Sequence, residues 1–371
     1  MRGRSRAAGL TAGILVSLIA SVLSAPQPAV AAGRLAQAVT CKSRVPGQPP
    51  SPGQDAGLDD VAVLSACDVW VVGSSARGSL IEQWNGREWK VLASTGPGSA
   101  SFDGVSAVSP ASVWAVGSYT AGAKTKALIA HWDGTRWRPA AVPALSGNNT
   151  ALTGVAAVSN RDVWAVGFAQ DKALILHWNG TRWARVGYRS PGAISELDSV
   201  SASGPASVWA VGSYSTATTQ RSLILRWTGV KWVSVPGPKP GSSSELTDVS
   251  VVSRSLAWAA GDDYTTQLNP FAVRWNGTSW RQAPPFPQLR PTGFNSILTG
   301  VAVVSGRDVW VVGTDLDPFA GHWNGSAWQI FDPGVPGTYT AVAADRAGDA
   351  WAVGNYDHGT PHDQAYATRL R

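Results

Sequence analysis

Residues 152–186 read LTGVAAVSNRDVWAVGFAQDKALILHWNGTRWARV, and versions of this stretch recur along the chain. The first tryptophan of the unit, in a VWAVG-type motif, is Trp70, Trp114, Trp164, Trp209, Trp258, Trp310 and Trp351, seven copies standing 41 to 52 residues apart. The second is Trp84, Trp132, Trp178, Trp227, Trp275 and Trp323. The third follows five residues later each time, as Trp89, Trp137, Trp183, Trp232, Trp280 and Trp328. Seven, six and six copies account for all 19 tryptophans, so the register is not a chance one. A repeat of this length built from β-forming residues is the pattern of a β-propeller.

Each unit parses into four strands, of the types LTGVAAVS, DVWAVG, ALILHW and RWARV. The second and third are apolar at successive positions, which suits strands buried on both faces, as between neighbouring blades. Asn-Gly separates the third and fourth strands at Asn85-Gly86, Asn179-Gly180, Asn276-Gly277 and Asn324-Gly325, with Asp133-Gly134 and Thr228-Gly229 elsewhere. That chemistry predicts type I′ hairpins with both central residues at positive φ. Asn179-Gly-Thr181 and its equivalents also match glycosylation sequons, but read here as turns. The expected fold is all-β: a seven-bladed β-propeller of four-stranded antiparallel blades.

The seventh unit stops early, with Leu370 where the other units carry the second tryptophan. Residues 42–47, KSRVPG, echo WVSVPG at 232–237. An N-terminal strand is therefore expected to complete the last blade and cover its open edge. Domain boundaries follow: 1–31 a signal peptide, 32–57 the closing strand and Pro-rich linker, 58–371 the propeller.

The signal peptide is read from Arg2, Arg4 and Arg6, the apolar run to Leu23, and the A-x-A site Ala29-Val30-Ala31. The competing reading is an uncleaved anchor, for which the run is short. Cleavage removes three arginines and no acids, taking the net charge from +6 to +3. So small a charge does not suggest a nucleic-acid surface. The expectation is a secreted protein with no membrane insertion once the signal is gone. Cys41 and Cys67 are the two cysteines, and an even pair in a secreted chain reads as a disulfide, against two separate buried thiols.

Connections between second and third strands vary in length, as do those between blades, and both emerge at one end of a propeller. Variable segments on a rigid scaffold are where binding usually lives. Candidate ligand contacts there are Tyr119, Tyr214, Asp262, Asp263, Tyr264, Asp315, Asp317, Tyr356 and Asp357, joined by the aromatics Tyr188 and Phe294. Aromatic rings among hydroxyls and carboxylates suit polyhydroxylated ligands and also protein recognition. His131, His177 and His322 precede second tryptophans, in a slot that holds Gln83, Arg226 and Arg274 elsewhere. They read as a polar girdle, with ligand binding the alternative. His358 and His362 stand near Asp357 and Asp363, but Gly359 and Pro361 suit a solvated loop better than a metal site. No nucleophile elbow, sialidase-type S-x-D-x-G-x-x-W box or paired glycosidase carboxylates can be picked out. An enzyme is not expected, nor a cofactor or metal. The tryptophans themselves read as core between blades rather than as sugar platforms.

The DVWAVG and HWNGTRW motifs resemble a family of secreted actinobacterial Trp-repeat propellers across nearly the whole mature chain. Related seven-bladed Trp-repeat propellers include lectins, and the pattern resembles the lectin subunits of secreted umbrella toxin particles. The resemblance implies a non-enzymatic recognition module whose partners are cell-surface glycans and other secreted protein subunits. A protein-docking scaffold, and behind it a secreted hydrolase, are the alternatives. The repeat carries no ligand-specific motif, so no sugar contact transfers residue by residue.

Overall fold

A computed structural model describes residues 41, 47–52, 55–92, 96–287, 296–315, 317–333, 336–356 and 363–370. Seven antiparallel sheets follow one another in chain order, covering residues 57–91, 100–139, 150–185, 194–234, 243–282, 297–331 and 337–370. Blades 1 to 6 have four strands in simple meander order, and blade 7 has three described strands. In blade 3 these are Thr150–Ser159, Asp162–Ala169, Lys172–Trp178 and Trp183–Arg185. The first strands line a central channel. The signal-peptide reading, the closing strand at 42–46, Asp357, the loop histidines His358 and His362, and Phe294 all fall outside the described residues.

Successive apolar residues in the second and third strands do bury both faces: Val163 to Gly167 are all buried, as are Ala173 to Leu176. The tryptophans then join the blades. At every seam but that between blades 6 and 7, the first tryptophan of one blade meets the second and third of the next. Trp164 lies 4.7 Å from Trp227 and 5.2 Å, edge-on, from Trp232. The same trio recurs as Trp70 with Trp132 and Trp137, Trp114 with Trp178 and Trp183, Trp209 with Trp275 and Trp280, and Trp258 with Trp323 and Trp328. Trp351 closes the ring on Trp84 and Trp89 of blade 1. Only Trp132, Trp178 and Trp227 are less than fully buried, so the tryptophans are the cement between blades rather than a display surface. The seam between blades 6 and 7 has no such trio. Trp310 packs there with Phe331 and Leu370, which supply less aromatic surface.

The Asn-Gly turns differ from the hairpin expected. Trp178 pairs with Trp183, leaving four residues in the loop. Among the non-glycine residues described, only Asp55 and Gln170 have positive φ, so Gly180 (94°) carries the left-handed conformation without help from Asn179. The asparagine acts through its side chain: Oδ1 accepts the amides of Thr181 and Arg182 at 3.0 and 3.1 Å. The type I′ expectation fails because the tryptophan pair fixes a four-residue span, and an Asx-capped loop fits it. The segments expected as long loops also differ. The strands of blade 2 run to Ala121 and resume at Lys124, and those of blade 4 run to Ser215 and resume at Gln220. Ser, Tyr and Thr continue the ladder, so these segments are extended hairpins with short turns.

At the last blade the described N-terminal residues lie along the outer edge of the third strand, Gln364–Leu370. Ser51 Oγ accepts the amide of Ala365 at 3.0 Å and Gln48 Oε1 that of Ala367 at 3.1 Å. The Trp89 indole donates to Gly47 O at 3.0 Å, as the Trp328 indole donates to Pro284 O at 3.1 Å. Cys41 is disulfide-bonded to Cys67, in the first turn of blade 1.

Candidate functional site

The channel is polar, and its chemistry comes from two adjacent positions on each first strand. At the first position the hydroxyls of Thr153, Thr247, Thr299 and Thr340 donate to the next blade's backbone, at Leu197 O (2.7 Å), Leu298 O (2.8 Å), Tyr339 O (2.8 Å) and Leu58 O (2.6 Å). In the other three blades the same position holds Asp59, Asp103 and Asp198. At the second position Asp60 accepts the amide of Val105, and Asp248 that of Val301, both at 2.7 Å. These bonds stitch blade to blade around the axis. The space enclosed is about 290 Å³ and its lining includes five aspartates and no cationic side chain.

Burial of so many carboxylates favours their neutral forms. Burial, with Asp103 beside it, raises Asp59 to about 7. Burial with Glu196 and Glu245 nearby raises Asp198 to about 8. Asp60 rises to about 7 and Asp248 to about 6, burial outweighing the amides that bond their charged forms.

The acidity continues to the end of the molecule where second strands turn into third. Tyr119, Tyr214, Asp262, Asp263, Tyr264, Asp315, Asp317 and Tyr356 all lie at that end, on strand termini rather than in open loops. Blade 5 brings three of them together. Asp262, Asp263 and Tyr264 end the strand Leu256–Tyr264; the two acids are buried and the tyrosine is 47% exposed. Gln220, Ser243, Ser244, Glu245, Asp262 and Tyr264 surround a pocket of about 120 Å³ at the seam of blades 4 and 5. Gln220 Nε2 donates to Glu245 at 2.7 Å and to Ser213 Oγ at 3.0 Å. Burial, then Glu245 and Asp263, push Asp262 up to about 7.

The remaining candidates stand apart on other blades. Tyr119 and Tyr214 are half-buried against the cores of their own seams. Asp315 is buried and is the register partner of Asp317, and Tyr356 stacks on Tyr366 at 6.0 Å. Sequence reading missed Gln220, Glu245 and the channel aspartates. The signal was present in the first-strand alignment, where LDD, FDG and LDS replace LTG.

In blades 1, 2, 3, 6 and 7 the polar slot is a girdle that pairs within its own blade. His177 bonds Asp162 at 2.8 Å, His322 bonds Asp308 at 2.9 Å, His131 bonds Ser112 at 3.1 Å and Gln83 bonds Asp68 at 2.9 Å. Arg369 pairs with Asp349 in the same way. Each partner lies two residues before the first tryptophan, and the three histidines stack on that tryptophan at 4.1 to 4.3 Å. These histidines are thereby engaged in the scaffold. Among the described residues no three His, Cys, Asp or Glu side chains are grouped to hold a metal, and no helix is long and apolar enough to cross a membrane.

No protein-family model and no curated protein matches the chain. Solved structures match in fold. YCF48 from Cyanidioschyzon merolae is 14% identical, with 88% of this chain and 99% of that chain covered and a TM-score of 0.58. Streptogramin B lyase is 13% identical, with 87% and 97% covered and a TM-score of 0.61. The GH74 xyloglucanase from Xanthomonas campestris is 14% identical, with 84% of this chain and 53% of that chain covered and a TM-score of 0.59. At such identities the likeness is one of architecture. It spans enzymes and non-enzymes alike, and the chain is a seven-bladed β-propeller.

Proposed function

We propose that this protein is a secreted, non-enzymatic recognition module that binds carbohydrate through the end of the propeller where second strands turn into third. The observation that carries this reading is the blade 4–5 pocket. Two serine hydroxyls, an amide and two carboxylates converge there beside the exposed ring of Tyr264. Carboxyl groups that burial shifts toward their protonated forms both accept from and donate to sugar hydroxyls, while an aromatic rim takes an apolar sugar face. The disulfide favours an oxidising compartment. The resemblance to umbrella-particle lectins supplies the finer version, a targeting subunit of a larger antibacterial particle. A glycan array probed with the mature protein tests the proposal. Specific spots that vanish in Tyr264→Ala and Asp262→Asn support it, and an array with no specific spots rejects it.

A protein-docking scaffold is the second reading, favoured by the cation-free channel lining, which fits a Lys- or Arg-bearing segment. Binding of a basic peptide that Asp198→Asn weakens, with a silent array, would select it.

A further inference from the structure

The girdle is broken in blades 4 and 5. Two residues before the first tryptophan, where Asp162 meets His177 and Asp349 meets Arg369, blade 4 has Ser207 and blade 5 has Leu256. Their slots nevertheless hold arginines, Arg226 and Arg274. Arg226 is half-buried, with its guanidinium 5.4 Å from the Trp209 ring and 5.7 Å from the Trp275 ring. Two indole faces hold it, and no carboxylate among the described residues pairs with it. A partly desolvated guanidinium without a counter-ion is costly unless an anion completes it.

Beside it lies a second opening at the seam of blades 4 and 5, on the end of the molecule opposite the acidic pocket. It encloses about 360 Å³ between Ala206, Arg226, Trp227, Thr228 and Arg254, with two guanidiniums and no acid in its lining. Trp227 is one of the three tryptophans not fully buried, and Arg254 is exposed. The Arg254 main chain is anchored, since its carbonyl accepts the Trp275 indole at 3.0 Å.

We infer that this opening is a binding site for an acidic saccharide, its carboxylate received by Arg226 and Arg254 and its apolar ring face laid on Trp227. A planar guanidinium fork matches a carboxylate, and a pair of them around one anion gives direction as well as charge. The indole edge supplies the contact that a free inorganic anion would not use. The site is independent of the Tyr264 pocket and uses none of its residues.

The probes are oligogalacturonate and the same oligomer fully methyl-esterified, titrated into the full chain and followed by tryptophan fluorescence and calorimetry. Esterification removes the charge and keeps the ring. The acid form is expected to bind at least about tenfold more tightly than the ester, with Arg254→Ala and Arg226→Gln each costing about tenfold, the scale of one charge-assisted bond. Arg254 is exposed, so Arg254→Ala is expected to keep the parent melting temperature and report on binding alone. Salt should weaken the complex without abolishing it, because stacking is not screened. Equal affinity for acid and ester overturns the inference, as does unchanged binding in Arg254→Ala. Single-stranded DNA of matched charge binding as tightly overturns it too, by marking a general polyanion surface. Tyr264→Ala should leave this titration unchanged, so the two sites succeed or fail separately.

Discussion

A single glutamate departs from its repeat. Glu82 pairs with Val71 at the register position that holds Leu176 in blade 3 and Leu225 in blade 4. It is fully buried, neither carboxylate oxygen has a hydrogen-bond partner among the described residues, and burial raises it to about 8 from an ordinary 4.5. The sign of its effect follows from linkage. Below about 4.5 the group is protonated in folded and unfolded chains and carries no ionisation penalty. As pH rises towards 8 the unfolded chain releases the proton while the folded chain keeps it, so stability falls until the folded form ionises as well. At about 1.4 kcal/mol per unit, the loss at pH 7 is about 3 kcal/mol. Glu82→Leu should therefore raise stability at both pH values, because even the protonated carboxyl is buried without a partner, and should raise it more at pH 7 than at pH 4, as urea unfolding at the two will show. The channel aspartates shift in the same direction, so the parent protein should melt at a higher temperature at pH 5 than at pH 8. The burial of Glu82 was legible in the sequence, since it interrupts by one letter a strand read as buried on both faces; that its carboxyl finds no partner there was not.

At the scale of the strand and its seam, the tryptophan register was legible because a blade has few ways to bury three indoles at fixed spacing. The repeat therefore yielded blade number, strand order and the core role of the tryptophans. It did not reveal how the Asn-Gly loops are built, because dipeptide chemistry cannot count the residues between paired tryptophans. Nor did it reveal that the candidate tyrosines sit on strand ends. Tyr119 and Tyr214 look like loop residues only while the hairpins are assumed to be short. Both now carry packing as well as any ligand, so Tyr→Ala there mixes stability with binding, whereas Tyr264 at 47% exposure does not. The seams also differ in strength. Trp164 meets Trp227, Trp232 and the ring of His177, and Trp164→Ala should cost about 3–5 kcal/mol, the range for a buried large aromatic. Among the described aromatic rings Trp310 meets His322 and Phe331, and Trp310→Ala should cost measurably less. Equal losses in denaturant unfolding would show that the missing trio does not weaken the blade 6–7 seam.

For the whole molecule the decisive question is how the ring closes at its last blade, of which three strands are described. Along the outer edge of Gln364–Leu370, the amides of Ala365 and Ala367 are taken by the Ser51 and Gln48 side chains. The Trp89–Gly47 bond repeats the Trp328–Pro284 bond, which puts Gly47 where a chain leaving a fourth strand would run. Cys41 is disulfide-bonded into blade 1, and its carbonyl accepts from Arg369 of the last strand at 3.4 Å. We predict that the N-terminal segment is the closure, joining the first and last blades through one seam. The bridge spans 26 residues, for which chain-entropy reasoning gives about 3–4 kcal/mol. Cys41→Ser with Cys67→Ser should lower stability on that scale. Deleting residues 33–47 should lower it at least as far, because it removes the same bridge and also bares the edge, and should produce aggregates visible in light scattering. Neither change touches the Tyr264 pocket or the Arg226 opening, so ligand binding by the folded fraction should persist. A deletion variant that stays monomeric and melts with the parent would mean that the segment is a tether and that blade 7 is stable with three strands. A deletion variant restored only by a partner protein would assign the missing strand to that partner.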